Sequence, residues 1–598
     1  MGTPLFAIYQ YVSQEEQKVP GFLAISTAPA NVEDQELQDS DPLRAKDPQL
    51  LEGVQLLPTG SAIQAVAEAL YQQTNQGTTT AELVIAVHGY NTSIEGVKWW
   101  YREIWSYVNR DPNMRSERAV FLGYRWPSEQ VGVLKNFTKA LQSLPVILAF
   151  LLFGGLTGAI VSWLKFSQIT FIFVLSVFFV SIVLAMMILR LIVYFRDSYR
   201  ATNFGVPDLV EILRQLNKAL KDKVEPNSIQ LNFIAHSMGG FVTTNTVRIL
   251  SDVFDPGSVG YIDASGKAPM ATIGDVFRLG RLVLASPDIP ARTLITGRAN
   301  FLRSSLRRFE ESYLFSNEGD LALRLASTAA NYFSYPTNRQ IEGHRLGNVT
   351  VRPGRKADDP NYGVVNIGTI DSKTADSRLI HHLEINTLTR SVTLDQLQIA
   401  GDEDEEDLCD TFTCFDCTNY VDRRYRNGKT LQEQNVLSYR FDRFPPFLSF
   451  LNLFVYIRLL FAWLTGQIDV HGGYFEGEFS RELIYKLAFS GFRDFLLTLN
   501  GSDAPAEVRK VLDELEQKIT VLESEYQALQ QNSGKLKELE LEIDRLHLRR
   551  SIVLFERFSA KCIQKKVQVA FSPKHYQEDV MQSSLPQTPQ PSEVESRD

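Results

Sequence analysis

The chain has 598 residues, 44% apolar and 22% charged, proportions that exclude collagen-like, wholly disordered and disulfide-framed classes. Lys plus Arg is 61 against 70 for Asp plus Glu, a net charge of −9, and no basic block offers the footprint of a nucleic-acid binder. The four cysteines, Cys409, Cys414, Cys417 and Cys562, are too few for a secreted framework and suit a reducing compartment.

The N-terminal MGTPLFAIYQYVSQEEQ has neither the basic start nor the apolar core of a signal peptide, and Phe6 stands where a myristoylation signal places Ser or Thr. Short apolar runs then recur: ELVIAVHG at 82–89, AVFLGYRW at 119–126, IQLNFIAHS at 229–237, RLVLAS at 281–286, ESYLFS at 311–316 and GVVNIGTI at 363–370. Such runs suit strands buried on both faces of a parallel sheet. Helical patterns such as SIEGVKWWYREIWSYVNRD and PDLVEILRQLNKAL separate them, which predicts a doubly wound, mostly parallel α/β sheet.

Between the second and third of these strands lie two apolar stretches, LPVILAFLLFGGLTGAIVSW at 144–163 and ITFIFVLSVFFVSIVLAMMILRLIVY at 169–194, separated by LKFSQ. Each is long enough to cross ~30 Å of hydrocarbon as a helix. The expectation is a transmembrane helical hairpin over 143–195, inserted between an N-terminal part of the domain, 1–142, and its core, 196–371. Lys135, Lys139, Arg196 and Arg200 flank the pair while the turn holds only Lys165, so both flanks are expected on the cytoplasmic side of an integral membrane protein.

The stretch 372–470 reads as a large insertion with the acidic run DEDEED at 402–407, the cysteines of CDTFTCFDC and a third apolar segment, 447–464, interrupted by Asn452 and Arg458. That segment reads as an interfacial, re-entrant, spanning or buried helix. The C-x₄-C-x₂-C spacing lacks a fourth ligand, and Asp407, Asp410 and Asp416 are poor zinc partners beside thiolates, so no metal is expected and the thiols read as unmodified or lipid-modified. Residues 471–500 close the domain. In 501–557, Val508, Leu512, Leu515, Ile519, Leu522, Tyr526 and Leu529 form a heptad seam that breaks at Asn532-Ser533-Gly534 and resumes at Leu536, Leu539, Ile543 and Leu546. Two antiparallel coiled helices follow, either packed on their own chain or self-associating through 508–550. The remainder, 558–598, reads as a largely disordered tail.

The chemistry concentrates in FIAHSMGGF at 233–241, which ends a predicted strand and opens a helical stretch. A nucleophile elbow needs this context, with small residues two before and two after the serine, here Ala235 and Gly239 around Ser237. Ser237 is the expected nucleophile. The N–H of Met238 and that of Tyr90, in VHGYNTS after the first strand above, are the candidate oxyanion donors.

At these residues the chain resembles the α/β-hydrolase superfamily, and more closely a bacterial esterase- or lipase-like branch of unassigned function. Further matching segments are YRWPS at 124–128, DSYRAT at 197–202, LASPDI at 284–289, SNEGDLAL at 316–323, HRLG at 344–347 and HGGYFEGE at 471–478. The resemblance carries the catalytic base onto His471, with His236, His381 and His382 as rivals. It places the acid at Asp320 or, as in some lipases, at Asp288, with Asp320 preferred. It implies a Ser-Asp-His hydrolase without metal or nucleotide cofactor, acting on carboxylic esters of lipid or other apolar acyl substrates at a membrane. The alternatives are a thioesterase or peptidase on the same triad and a non-catalytic membrane scaffold.

Overall fold

The computed structural model describes residues 4–13, 17–28, 48–75, 80–112, 118–128, 191–252, 270–295, 301–323, 345–352, 363–365, 411–426, 429–438, 458–463, 467–498, 506–528 and 533–570, with a few further single positions. The N-terminal strands are β1 (Phe6–Tyr11), β2 (Gly21–Ser26), β3 (Val54–Leu56), β4 (Ala81–Val87) and β5 (Ala119–Arg125). The next are β6 (Ile229–His236), β7 (Thr272–Ile273), β8 (Phe277–Ala285) and β9 (Glu311–Ser316). Then come β10 (Thr350–Arg352), β11 (Gly363–Val365), β12 (Thr413–Asp416), β13 (Val421–Arg426), β14 (Lys429–Asn435) and β15 (Gln568–Ala570).

The main sheet has the order β3-β1-β2-β5-β4-β6-β8-β9-β12-β15, with β7 attached to β8. Along this order from β2 to β12 neighbouring strands are parallel, β7 runs antiparallel to β8, and antiparallel strands close both edges. The order reverses at β4, which has β5 on one side and β6 on the other. Crevices at such a reversal, outside the carboxyl ends of the strands, are where open α/β sheets bind ligands.

Both faces of the sheet are covered. Leu83, Ile85 and Val87 of β4 point into one core with helices α1 (Ala62–Asn75), α3 (Val206–Leu220) and α4 (Met238–Leu250). Val84 and Ala86 alternate into the other with α2 (Ile94–Arg110), α5 (Glu478–Phe489) and α6 (Gly491–Thr498). Burial on both faces explains why these strands read as unbroken apolar runs.

Several expectations change. Of the strand expected at 363–370, the described part, Gly363–Val365, is not in the main sheet: among the described residues it pairs with β10 in a separate two-stranded sheet, and 366–370 lie outside the described residues. The place beside β9 belongs to β12, whose TCFD is too short and too polar to read as an apolar run. The stretch 372–470 is therefore not simply an insertion, since it carries a strand of the central sheet. Cys414 and Cys417 are buried at that strand, which leaves no room for a lipid chain on either thiol; Cys409 lies outside the described residues.

The helices α7 (Ala506–Ala528) and α8 (Ser533–Gln564) pack on each other, burying Leu512, Ile519, Leu539 and Leu546, and Arg550 reaches Glu516 at 3.0 Å. The tail expected at 558–598 is ordered at its start, because α8 continues to Gln564 and β15 adds the last strand to the main sheet; 573–598 lie outside the described residues. Phe558, Cys562 and Val567 are buried in the core around α5 and α6.

Most of the apolar pair at 144–190 lies outside the described residues. Among those described, no helix is long and apolar enough to cross a membrane. Residues 191–200 are helical and already belong to the domain, with Val193 and Tyr194 buried, so the second apolar run is part of the fold from 191 onward.

Candidate active site

β6 ends at His236 and α4 begins at Met238, leaving the turn to Ser237 alone, at φ 53° and ψ −124°. A left-handed φ costs a non-glycine residue on the order of 1–3 kcal/mol and needs a surrounding that enforces it. The Ser237 N–H donates to the Ala285 carbonyl (3.0 Å), and its carbonyl accepts from the N–H groups of Gly240 (2.9 Å) and Asp288 (3.0 Å). Two glycines allow the backbones to close in. A Cβ on Gly239 would lie 2.3 Å from the Val87 carbonyl oxygen, and one on Gly89 would lie 2.8 Å from the Ser237 Cβ. The loop after β4 therefore sits directly against the serine. Met238, as the first residue of α4, has an N–H without an acceptor inside its own helix.

His471 stands on a short loop ahead of α5, with its Nδ1 2.7 Å from Asp320 Oδ2. Asp320 is fully buried after β9. Its Oδ2 also accepts from the Ser286 hydroxyl, and its Oδ1 accepts the Leu323 N–H (3.0 Å). A carboxylate so bonded fixes the imidazole with its proton on Nδ1 and Nε2 as the free acceptor. Burial pulls the His471 pKa down, but the Asp320 carboxylate, with Asp469 and Asp288 behind it, outweighs burial and holds it above the ordinary 6.5. Ser237 Oγ and His471 Nε2 are both buried, and neither has a hydrogen-bond partner among the described residues.

The loop carrying His471 is held from several sides. Asp469 Oδ1 accepts the N–H groups of His471 (3.1 Å) and Gly472 (2.9 Å). Asn317 Nδ2 donates to the Val470 carbonyl (2.8 Å), tying the Asp320 loop to it. Buried Arg424, on the β13–β14 hairpin, pairs with Glu476.

The rivals separate by geometry. His236 is committed elsewhere, since its Nε2 lies 3.0 Å from the His471 carbonyl and donates to it. Burial and the neighbouring His471 lower its pKa to about 4, so it stays neutral. His381 and His382 lie outside the described residues. Of the two acids, Asp320 meets His471, whereas Asp288 pairs with the buried Arg345 (3.3 Å) and pins the elbow through its backbone N–H. Tyr90 packs its ring against Tyr194 (5.9 Å between centroids) and His471 (6.2 Å).

Sequence reasoning missed Ser286, Asn317 and Asp469 as parts of this site, and read His236 only as a rival base. Asp469 alone had a local signal, an aspartate two residues before the histidine in the pattern of an Asx turn. Ser286 and Asn317 act across 34 and 153 residues of sequence, beyond any spacing rule.

No curated protein and no solved structure matches the sequence. A family model does match, over residues 64–389, a span that contains the elbow, Asp288 and Asp320 and stops before His471. With that match extending over more than half of the chain, and with the sheet order and elbow described above, the protein belongs to the family of alpha/beta hydrolases of unknown function (DUF900).

Proposed function

We propose that this protein is a membrane-anchored serine hydrolase that cleaves carboxylic esters of lipid or other apolar acyl substrates. The observation that carries the reading is the pairing of a serine on a strained elbow with a histidine fixed by a buried carboxylate, both reactive atoms being buried without partners among the described residues. His471 Nε2 takes the Ser237 proton as Oγ bonds to the acyl carbon, and the carbonyl π pair moves onto oxygen, facing the N–H groups of Met238 and Tyr90. Collapse breaks the ester C–O bond, and the leaving alcohol takes the proton from His471. Water then repeats the sequence on the acyl-enzyme, releasing the carboxylic acid and restoring Ser237. Asp320 holds the imidazole in place and stabilises the imidazolium.

The membrane part of the reading rests on the two apolar runs at 144–163 and 169–190, the second shortened by the burial of Val193 and Tyr194. A hairpin returns the chain to the side it left, the cytoplasmic side by the positions of its flanking lysines and arginines. The segment 447–464 does not span in this reading, because crossing would carry His471 away from Ser237, and a base must come within about 3 Å of its nucleophile. Its described part, 458–463, is helical, with Leu459 and Ala462 buried against Leu321, next to Asp320, and Phe461 62% exposed. That placement supports a lid whose outer face meets lipid. The test is Ser237→Ala assayed over a panel of acyl esters, thioesters and amides. Ester turnover in the membrane fraction that disappears in the variant supports the reading, and full activity in the variant ends it.

A further inference from the structure

We infer that Asp197 is a positioning residue for the reaction, holding the loop that presents the Tyr90 N–H. The inference rests on the serine-hydrolase reading. Asp197 lies on the helix at 191–200 and is fully buried. Its Oδ2 accepts two hydrogen bonds, from the Asn91 N–H (2.8 Å) and the Ser128 hydroxyl (2.9 Å). Its Oδ1 faces the guanidinium groups of Arg196 (2.9 Å) and Arg200 (3.5 Å). The carboxylate is thus held in place by two cations on its own helix while its other oxygen is turned toward the loop after β4.

What it holds there is strained. Asn91 has φ 52° and follows Tyr90 directly. Such a residue relaxes unless the surroundings over-determine it. Asp197 does so at Asn91, and Ser128, itself bonded to Asp197, accepts the Thr92 N–H at 3.2 Å. The Thr92 hydroxyl donates back to the Gly89 carbonyl at 3.0 Å. Tyr194, on the same helix as Asp197, packs edge-on against the Tyr90 ring. Tyr90 is thereby fixed through its side chain and through its following peptide by one helix, the one that continues from the second apolar run.

An oxyanion donor works on charge that exists only in the transition state, so misplacing it lowers kcat and leaves KM alone. The experiment uses full-length protein in lipid nanodiscs, with active sites titrated by a fluorophosphonate and turnover of a short-chain p-nitrophenyl ester expressed per labelled site. Asp197→Ala is expected to lower kcat about 10²-fold, the loss seen for a missing oxyanion donor, with KM within about twofold. Affinity for an aryl trifluoromethyl ketone, whose adduct carries an oxyanion, falls in step. Asp197→Asn keeps an oxygen for the Asn91 N–H and recovers most of the loss. Ser128→Ala, a smaller change should Asp197→Ala not fold, lowers kcat about fivefold, the scale of one hydrogen bond. Wild-type kcat per labelled site in Asp197→Ala or, where that variant does not fold, in Ser128→Ala overturns the inference, as does a loss confined to the number of labelled sites. Wild-type protein that neither labels nor turns over removes the Ser237 reading itself, and this inference with it.

Discussion

At the scale of single residues, His471 and the carboxylates around it give a pH-dependent test. The base must be neutral to accept the Ser237 proton, and its pKa is raised above 6.5, so activity falls as pH drops through a midpoint above that value. Asp320→Asn removes the charge that raises it. The acid limb should then move to lower pH while kcat falls about 10³–10⁴-fold, the scale seen when the orienting carboxylate of a triad becomes an amide. Asp288→Asn should behave differently. It leaves the His471 contact intact and deprives the buried Arg345 of its carboxylate, and breaking a buried ion pair costs about 3–5 kcal/mol. A lowered melting temperature with kcat per labelled site kept within about tenfold is the expected outcome; the reverse pattern between the two variants would make Asp288 the acid. Motif order favoured Asp320 but kept Asp288 in play, because both aspartates follow parallel strands. Only the distance from His471 tells them apart.

At the scale of elements, much was legible where burial on both faces writes a strand as an apolar run: β4, β5, β6, β8 and β9 all stand where such runs were read. The strand β12 was not legible. Four residues, two of them Thr and Asp, become a core strand only because β9 and β15 flank them, which no local pattern records. The helix at 458–463 offers the prediction at this scale. Leu459 is buried beside the acid loop and Phe461 is exposed. Leu459→Asp should destabilise that packing and lower turnover of every ester. Phe461→Asp should leave soluble-ester turnover near wild type and slow hydrolysis of bilayer-presented substrate. Equal effects of Phe461→Asp on both substrates would remove the lid.

At the scale of the whole molecule, the chain returns to its own sheet after α8, which a composition-based reading of the tail could not anticipate. Phe558 is fully buried, with the rings of Phe495 (5.4 Å), Phe492 (5.6 Å) and Phe415 (6.3 Å) around it. Phe558→Ala should therefore cost about 3–5 kcal/mol, read as a lowered melting temperature, although the residue lies outside the region matched by the family model. A near-unchanged melting temperature would detach α8 from the hydrolase core. The proposed hydrolysis requires Ser237 to act as a nucleophile activated by His471. Its most direct test is the mass of tryptic peptides after fluorophosphonate treatment of the full-length protein. A single adduct is expected on the peptide carrying Ser237, lost in His471→Ala with the fold intact. An adduct on another serine, or an enzymatically active preparation with Ser237 unmodified, would contradict it.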